Sequence, residues 1–510
     1  MRAPLVVASA AVAGFTFGCA VNPVTRRPEL AIVSQATELE LGTEQARVVA
    51  REMGLVADDD LVAYVRQLGE RVAASSPRRD VAYAFHVVDV PRPNAFAVPG
   101  HVYVTRGLLA LMNDEDELAV VLAHEVGHIA ARHAVRRLSR ALPAGLLTGV
   151  VSGVTGIASP VLGSLFEAGG AFATEALMAP YGREQEREAD RIGQEIVARA
   201  GFDPAALVRV LTSLARYDAL ADAGERRPGF LDSHPSTPER VRVAAARAFH
   251  LGPVTMPASP ASADAFLARL DGLVVGSGAA RGVFDGTTFL HPVLGFHMRF
   301  PPEWKTENTR GWLAAGSPDG RVGVVLTKAA ASDDPMDGVR AFEKGLRRPI
   351  GGTVARETIG RLPAVRIAAG AEAGGRRFAI ELHWIALDGR IFQVTGIAPA
   401  GLEAEARPRL RAIAETFGRL GAEERTRIRE QRLRLAASKR GESMATFVRR
   451  TGTPWEPELV AVVNGLDIGA PIPATRRLKI ARSEVYGRAD GVDDGSANAE
   501  ARQCSERIGW

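Results

Sequence analysis

The chain has 510 residues, 46% hydrophobic and 24% charged, with 63 Lys+Arg against 59 Asp+Glu for a net charge of +4. Those fractions exclude a disordered or collagen-like chain, and the length predicts about three domains, each with its own core. The charge excess is small for the length and no basic block could track a phosphate backbone, so nucleic acid is not an expected partner.

The only lysines are Lys305, Lys328, Lys344, Lys439 and Lys479, and none follows a glycine. This excludes a Walker-type phosphate loop, and a lysine Schiff base anywhere before residue 305. The two cysteines, Cys19 and Cys504, exclude Cys-rich zinc sites, iron–sulfur clusters and a disulfide framework. Any metal must be held by histidines and carboxylates.

In chain order, Arg2, the apolar run Leu5 to Phe17 and Gly18-Cys19 read as an export signal over residues 1–19. A cysteine directly after a short apolar run resembles a bacterial lipobox, which implies lipidation of Cys19 and a periplasmic, lipid-anchored position in the cell envelope. A plain cleavable signal and a short uncleaved anchor are the alternatives; all three place the chain beyond the inner membrane. Residues 20–270 read as mostly helical, with one extended stretch from Asn94 to Thr105. Residues 141–182 are apolar and Gly-rich but interrupted by Pro160, which predicts a lid or helical hairpin rather than a span.

A Pro/Ala/Ser-rich stretch, Gly252 to Ala263, and a linker over 271–285 precede a change of character. Alternating patterns at Phe296-Met298-Phe300, Val322 to Thr327, Phe378 to Trp384 and Ile391 to Gly396, closed by a helix from Leu402 to Phe417, predict an α+β domain over 286–418. Residues 419–482 then read as a small βααβ module, and 483–510 as a disordered tail. The expected fold is therefore multidomain: a mainly α domain with a small edge sheet, an α+β domain and a βααβ module.

The chemistry is concentrated in His124-Glu125-Val126-Gly127-His128, an H-E-x-x-H sequence. Asp114 to Glu117 has the form of a capping box, and Leu118, Val121, Leu122 and Ile129 follow at helical spacing. Both histidines and Glu125 then share the apolar arc of one helix. A buried Glu between two buried His requires compensation, which a zinc ion supplies; a purely structural histidine pair is the alternative. His133 points nearly opposite and is excluded as a ligand. A second helix, Arg183 to Gly201, offers Glu184, Glu186 and Glu188 near its start. Only Glu186 lies beside the stripe of Ala189, Ile192, Gly193, Ile196, Val197 and Ala200, so it is the expected third ligand and the other two a solvated face. Asp190, one turn on, faces the same side and would orient a zinc-bound histidine from the second shell of contacts.

The sequence His124 to His128 together with Glu186-Arg187-Glu188-Ala189-Asp190 resembles the HtpX/BepA-type gluzincin peptidases, relatives of the CAAX prenyl endopeptidases. Asn94-Ala95-Phe96-Ala97-Val98-Pro99-Gly100 and Val102 to Gly107 are similar to that family's extended segment, and Asn22 to Arg27 to the mature start of its exported lipoprotein members. The resemblance covers about residues 20–250. It implies a zincin-like metallopeptidase fold, one Zn2+ per chain, and a metalloendopeptidase in which Glu125 is the general base.

His234, within Asp232 to Arg240, matches a position that can approach the zinc in relatives. It is open between a plug, an oxyanion donor and a helix N-terminal turn residue without chemistry. The strand at Asn94, Ala95 and Phe96 could capture extended polypeptide by strand addition, which points to unfolded envelope proteins as substrates; the family resemblance implies outer-membrane assembly proteins as partners. Residues 286–418 are similar to PsbP-like modules through Gly295 to Trp304. Residues 432–480 resemble a degenerate LysM module through Arg440 to Met444, Val463 to Leu466 and Leu478 to Ile480, which implies contact with peptidoglycan. A latent chaperone-like scaffold closed by His234, and a murein-associated hydrolase, are the competing readings.

Overall fold

The computed structural model describes residues 18–21, 24, 28–31, 34–136, 181–220, 230, 234, 238–252, 260–346, 351–373 and 375–487. The export signal up to Phe17, the apolar stretch from 141 to 180 and the tail from 488 lie outside the described residues. Strands β1 (Gly18–Val21) and β2 (Pro28–Ala31) pair antiparallel, with Cys19 opposite Leu30.

Residues 34–270 form a helical body around a small sheet. Helices α1 (Gln35–Glu52) and α2 (Asp59–Ala73) begin at Ser34 and Asp58, whose side chains accept from the amides of Thr37 and Leu61. Such caps satisfy amides that the first helical turn leaves unpaired. Strands β3 (Ala84–Val88), β4 (Ala95–Val98) and β5 (His101–Thr105) follow. The order is β3-β5-β4, with β3 parallel and β4 antiparallel to β5. The single extended stretch expected over Asn94–Thr105 is thus two strands. The chain folds back at Pro99-Gly100, where Gly100 takes φ +82°, a value that costs glycine little. This leaves β4 at the sheet's edge.

Helix α3 (Arg106–Leu111) leads into α4 (Glu115–Ala130), capped by Asp114, which accepts from Glu117 N at 2.8 Å. Every residue of α4 from Asp116 to Ala130 is buried. The helix therefore has no solvent face, and an amphipathic arc describes it less well than a central rod. Helices α5 (Arg183–Ala200), α6 (Ala206–Ala219), α7 (Pro238–Leu251) and α8 (Pro260–Leu270) complete the body. Helix α8 starts inside the stretch expected as a Pro-rich linker, because proline is well suited to a first helical position.

The second region is β-rich. Strands β6 (Val274–Val275), β7 (Val283–Asp285), β8 (Thr288–His291) and β9 (Phe296–Arg299) precede a seven-stranded antiparallel sheet. That sheet comprises β10 (Lys305–Asn308), β11 (Trp312–Gly316), β12 (Gly323–Ala330), β13 (Thr353–Ile359), β14 (Leu362–Ala373), β15 (Arg376–Leu387) and β16 (Arg390–Pro399). One face packs on α9 (Pro335–Lys344) through Val339 and Trp384, the other on α10 (Glu403–Ala414) through Leu410 and Ile413. Strand β17 (Gly418–Arg419) pairs with β9.

The segment 271–285 is not a linker. Its β6 joins β18 (Arg429–Ala437) and its β7 pairs with β8; strands of two and three residues are too short to carry a readable period. The last unit runs β18, α11 (Met444–Thr451), α12 (Pro457–Val463) and β19 (Arg477–Val485), with β18 and β19 antiparallel. Because β19 extends to Val485, the tail begins later than residue 483. This βααβ unit is docked on the helical body: Lys479 Nζ donates to Ala110 O at 2.9 Å and Met112 O at 2.6 Å, and Arg216 Nη2 to Leu466 O at 2.6 Å. Among the described residues no helix is long and apolar enough to cross a membrane.

Candidate metal centre

Helices α4 and α5 pack at two glycines. A Cβ on Gly193 would sit 3.0 Å from His124 N, and one on Gly127 would sit 3.1 Å from Ala189 O. The close approach brings the first turn of α5 alongside the middle of α4. His124, His128, Glu186 and His234 each turn one donor atom into a common space, all within 4.8 Å of one another and all buried. His128 Nε2 lies 3.0 Å from His124 Nε2, and His124 Nε2 lies 3.3 Å from His234 Nδ1. Glu186 Oε1 stands 3.0 Å from His234 Nδ1 and 3.5 Å from His128 Nε2, and Oε2 stands 3.6 Å from His124 Nε2.

These residues suit a zinc ion. Imidazole nitrogens and a carboxylate oxygen form a normal zinc donor set, and bonds of about 2.0–2.2 Å set tetrahedral edges near ~3.3 Å, which is what the donor separations approximate. Four such donors crowded together without a cation would leave lone pairs facing lone pairs.

The surrounding contacts fix the ligands. Asp190 Oδ1 lies 3.1 Å from His124 Nδ1, so Nδ1 carries the proton and Nε2 is left free to coordinate. Arg240, on α7, donates to both Asp190 oxygens at 2.8 Å and reaches Glu186 Oε2 at 3.0 Å. Burial works against the charge on Asp190, but its bonds to His124 and Arg240 hold its carboxyl well below the usual range. Burial likewise opposes the charge on Glu186, yet His234, His124 and Arg240 keep it low.

His133 and Glu188 have roles that the sequence reading did not assign. The helix ends at Ala130 and Arg132 takes φ +56°, so a helical wheel no longer describes residue 133. Its ring turns back: His133 Nδ1 lies 2.9 Å from His128 Nδ1, and His133 Nε2 lies 3.1 Å from Glu188 Oε2, which Arg136 also bonds at 2.8 Å. His133 is not among the converging donors, but it supports one of them. Glu188 is correspondingly half-buried rather than solvated, with its carboxyl lowered to about 2 by the bond to His133, opposed by burial and aided by Arg136. Glu184 is exposed. The only local hint of Arg240 was its place at the end of the Asp232–Arg240 stretch.

Glu125 is fully buried, and neither of its carboxylate oxygens has a hydrogen-bond partner among the described residues. Burial raises its carboxyl, with His234 and His124 pulling the other way. His234 Nε2, also without a hydrogen-bond partner among the described residues, is 3.6 Å from Glu125 Oε1. His234 precedes α7 by several residues and its ring stacks on Phe230 at 4.6 Å, so it is not a residue of the first helical turn. Burial disfavours its protonation, but Glu186 and Glu125 outweigh that and raise it.

Residues 60–248 match peptidase family M48. Among curated proteins, the mitochondrial metalloendopeptidase OMA1 of Schizosaccharomyces pombe is 31% identical over 43% of this chain and 64% of its own. The beta-barrel assembly-enhancing protease of Escherichia coli is 30% identical over 46% of this chain and 48% of its own. The chain thus spans about half to under two thirds of these relatives' length. These matches are to metallopeptidases, and they fall on the part of the chain that carries the buried His124, His128, Glu186 and His234 cluster. A cyanobacterial PsbP from Synechocystis sp. PCC 6803 aligns with 28% of this chain and 96% of its own, at 12% identity and a TM-score of 0.21. The two regions observed are a helical body carrying the family match and a large β-rich region.

Proposed function

We propose that this chain is a zinc-dependent endopeptidase of the bacterial envelope that cuts extended, poorly folded polypeptides. The observation that carries the reading is the pairing of the His124/His128/Glu186 donor cluster with the buried carboxylate of Glu125, which has no hydrogen-bond partner among the described residues. A merely structural metal would not require that carboxylate. Zinc held by His124, His128 and Glu186 would polarise the scissile carbonyl and acidify a bound water. Glu125 takes the proton from the attacking water and returns it to the leaving amine. Asp190 and His133 hold the two imidazoles with Nε2 facing the cluster, and Arg240 fixes Glu186.

Substrate capture is assigned to β4 at the sheet edge. An extended segment would add as a strand along Asn94, Ala95 and Phe96, whose own side chains are buried, with main-chain hydrogen bonds selecting unfolded chain over particular side chains. Ala95 and Ala97 face the core shared with α4, while Phe96 and Val98 pack on the opposite side with Tyr103. Envelope location with lipidation of Cys19, and outer-membrane assembly proteins as partners, belong to the same proposal; their support is the signal-like N-terminus and the likeness to beta-barrel assembly-enhancing proteases. A peptidoglycan contact for the module over residues 419–482 is supported by the βααβ order and the LysM resemblance.

A second reading has a specific observation behind it. With His234 Nδ1 among the donors, the site has four protein ligands, whereas a hydrolytic zinc site keeps a position open. A latent, chaperone-like state closed by His234 follows from that arrangement. The test of the proposal is cleavage of unfolded casein by the full zinc-loaded chain, stopped by a chelator and restored by zinc. His234→Ala separates the roles: cleavage rises if His234 closes the site and falls if it donates to an oxyanion. Absence of cleavage in both proteins at full zinc occupancy would overturn the peptidase reading.

A further inference from the structure

A cavity of about 1250 Å³ lies where the helical body, the β6 strand and the βααβ unit meet. It exceeds the roughly 300–1,000 Å³ of a small-molecule pocket and is large enough for several residues of extended chain. The helical body contributes Tyr217 and the 42% exposed Leu220 to its wall, and the βααβ unit contributes Trp455, Glu456, Glu458 and Leu459. Apolar and aromatic groups therefore sit beside Glu456 and Glu458, with Asp218 and Arg92 also on the lining. Glu456 and Glu458 are exposed and have no ion-pair partner among the described residues.

The cavity wall is linked to the candidate active site through packed residues. Arg92 lines it, the carbonyl of the next residue, Pro93, accepts from Phe230 N at 3.1 Å, and Phe230 stacks on His234. Two residues beyond Arg92, the chain enters Asn94 and the edge strand β4. A polypeptide lying along β4 would reach this cavity at one end.

We infer that the cavity is a second docking site for the polypeptide substrate, one that takes an extended segment of alternating apolar and cationic side chains. The inference rests on the peptidase reading for the identity of its occupant. Apolar side chains would pack on Trp455, Leu459 and Leu220 while cationic ones face Glu456 and Glu458, and the βααβ unit becomes half of a substrate-binding groove rather than a separate tethered module.

The test uses binding, which is independent of turnover. A 12-residue peptide of alternating Leu and Arg, and its Leu/Glu counterpart, are titrated against the full zinc-loaded Glu125→Gln chain by fluorescence anisotropy. The Leu/Arg peptide is expected to bind in a salt-sensitive manner and the Leu/Glu peptide far more weakly. Glu456→Lys/Glu458→Lys should weaken Leu/Arg binding roughly tenfold, since exposed charges act modestly and each reversal replaces attraction by repulsion. Leu220→Arg, on the opposite wall, should weaken it as well; all three residues are exposed, so the fold should tolerate the changes. Equal binding of the two peptides, or binding untouched by both variants, would overturn the inference. Loss of the groove with casein cleavage intact would leave the peptidase reading standing, and binding without any cleavage would do the reverse.

Discussion

The Nδ1 atoms of His128 and His133 lie 2.9 Å apart, so one ring must donate to the other. Because His128 Nε2 faces the donor cluster and must keep its lone pair there, Nδ1 of His128 is the donor. His133 accepts at Nδ1 and donates from Nε2 to Glu188. The chain Glu188–His133–His128 thus sets the tautomer of a metal ligand from outside the site. His133→Phe should lower zinc affinity about 10–100-fold with little change in secondary structure, and Glu188→Gln should have a smaller effect. Competition with a chromogenic zinc chelator measures both; unchanged affinity in His133→Phe would contradict the assignment.

Arg240 lies between two buried carboxylates, Asp190 and Glu186. Arg240→Met removes the guanidinium that both carboxylates share, and breaking a buried pair in this way costs about 3–5 kcal/mol. A bound cation offsets part of that loss, so zinc should raise the melting temperature of Arg240→Met by more than it raises that of the parent. Differential scanning calorimetry with and without zinc reads the difference; equal zinc shifts would count against the role given to Arg240.

The closeness of α4 and α5 depends on Gly193, where a Cβ would meet the backbone of His124 at 3.0 Å. Gly193→Val should force the helices apart, destabilising the protein by about 1–3 kcal/mol and weakening zinc binding together with it. Urea denaturation and zinc titration on one preparation check the pair of effects. A variant as stable as the parent with unaltered zinc affinity would show that the approach is not required.

Sequence patterns were informative wherever the site is carried by regular helix. His124, Glu125 and His128 lie on α4, and Glu186 and Asp190 on α5, so a period of 3.6 residues sufficed to group them on facing sides. His133 is not among the converging donors, as expected, but its contacts with His128 and Glu188 lie past the helix end, beyond the left-handed turn at Arg132, where a helical wheel does not reach. Arg240 was missed because its contacts span 50 residues of sequence. The α+β strands were legible where they are long, as in β15 and β16, whereas β6 and β7 were taken for linker. Nothing in the local pattern of β19 announced that Lys479 would be buried against the carbonyls of Ala110 and Met112.

That lysine has a pH signature. Burial lowers the Lys479 ammonium to about 7, with Glu117 opposing the shift and Arg476 adding to it, while an unfolded lysine titrates near 10.5. Between those values the unfolded chain binds more protons, so stability rises with pH from about 7 upward, and the contribution is lost as pH falls through 7. Lys479→Met should flatten that rise. Chemical denaturation at pH 7 and pH 9.5 tests it, and parallel pH dependences in the two proteins would refute it.

The most direct measurement compares zinc-loaded parent and Glu125→Gln on unfolded casein, each also in the His234→Ala background so that a closed site cannot mask the base. Zinc content should be equal in all four proteins, and cleavage should fall by about 10²–10⁴-fold with the loss of the general base in whichever background is active. Cleavage that survives Glu125→Gln at equal zinc occupancy would contradict the account.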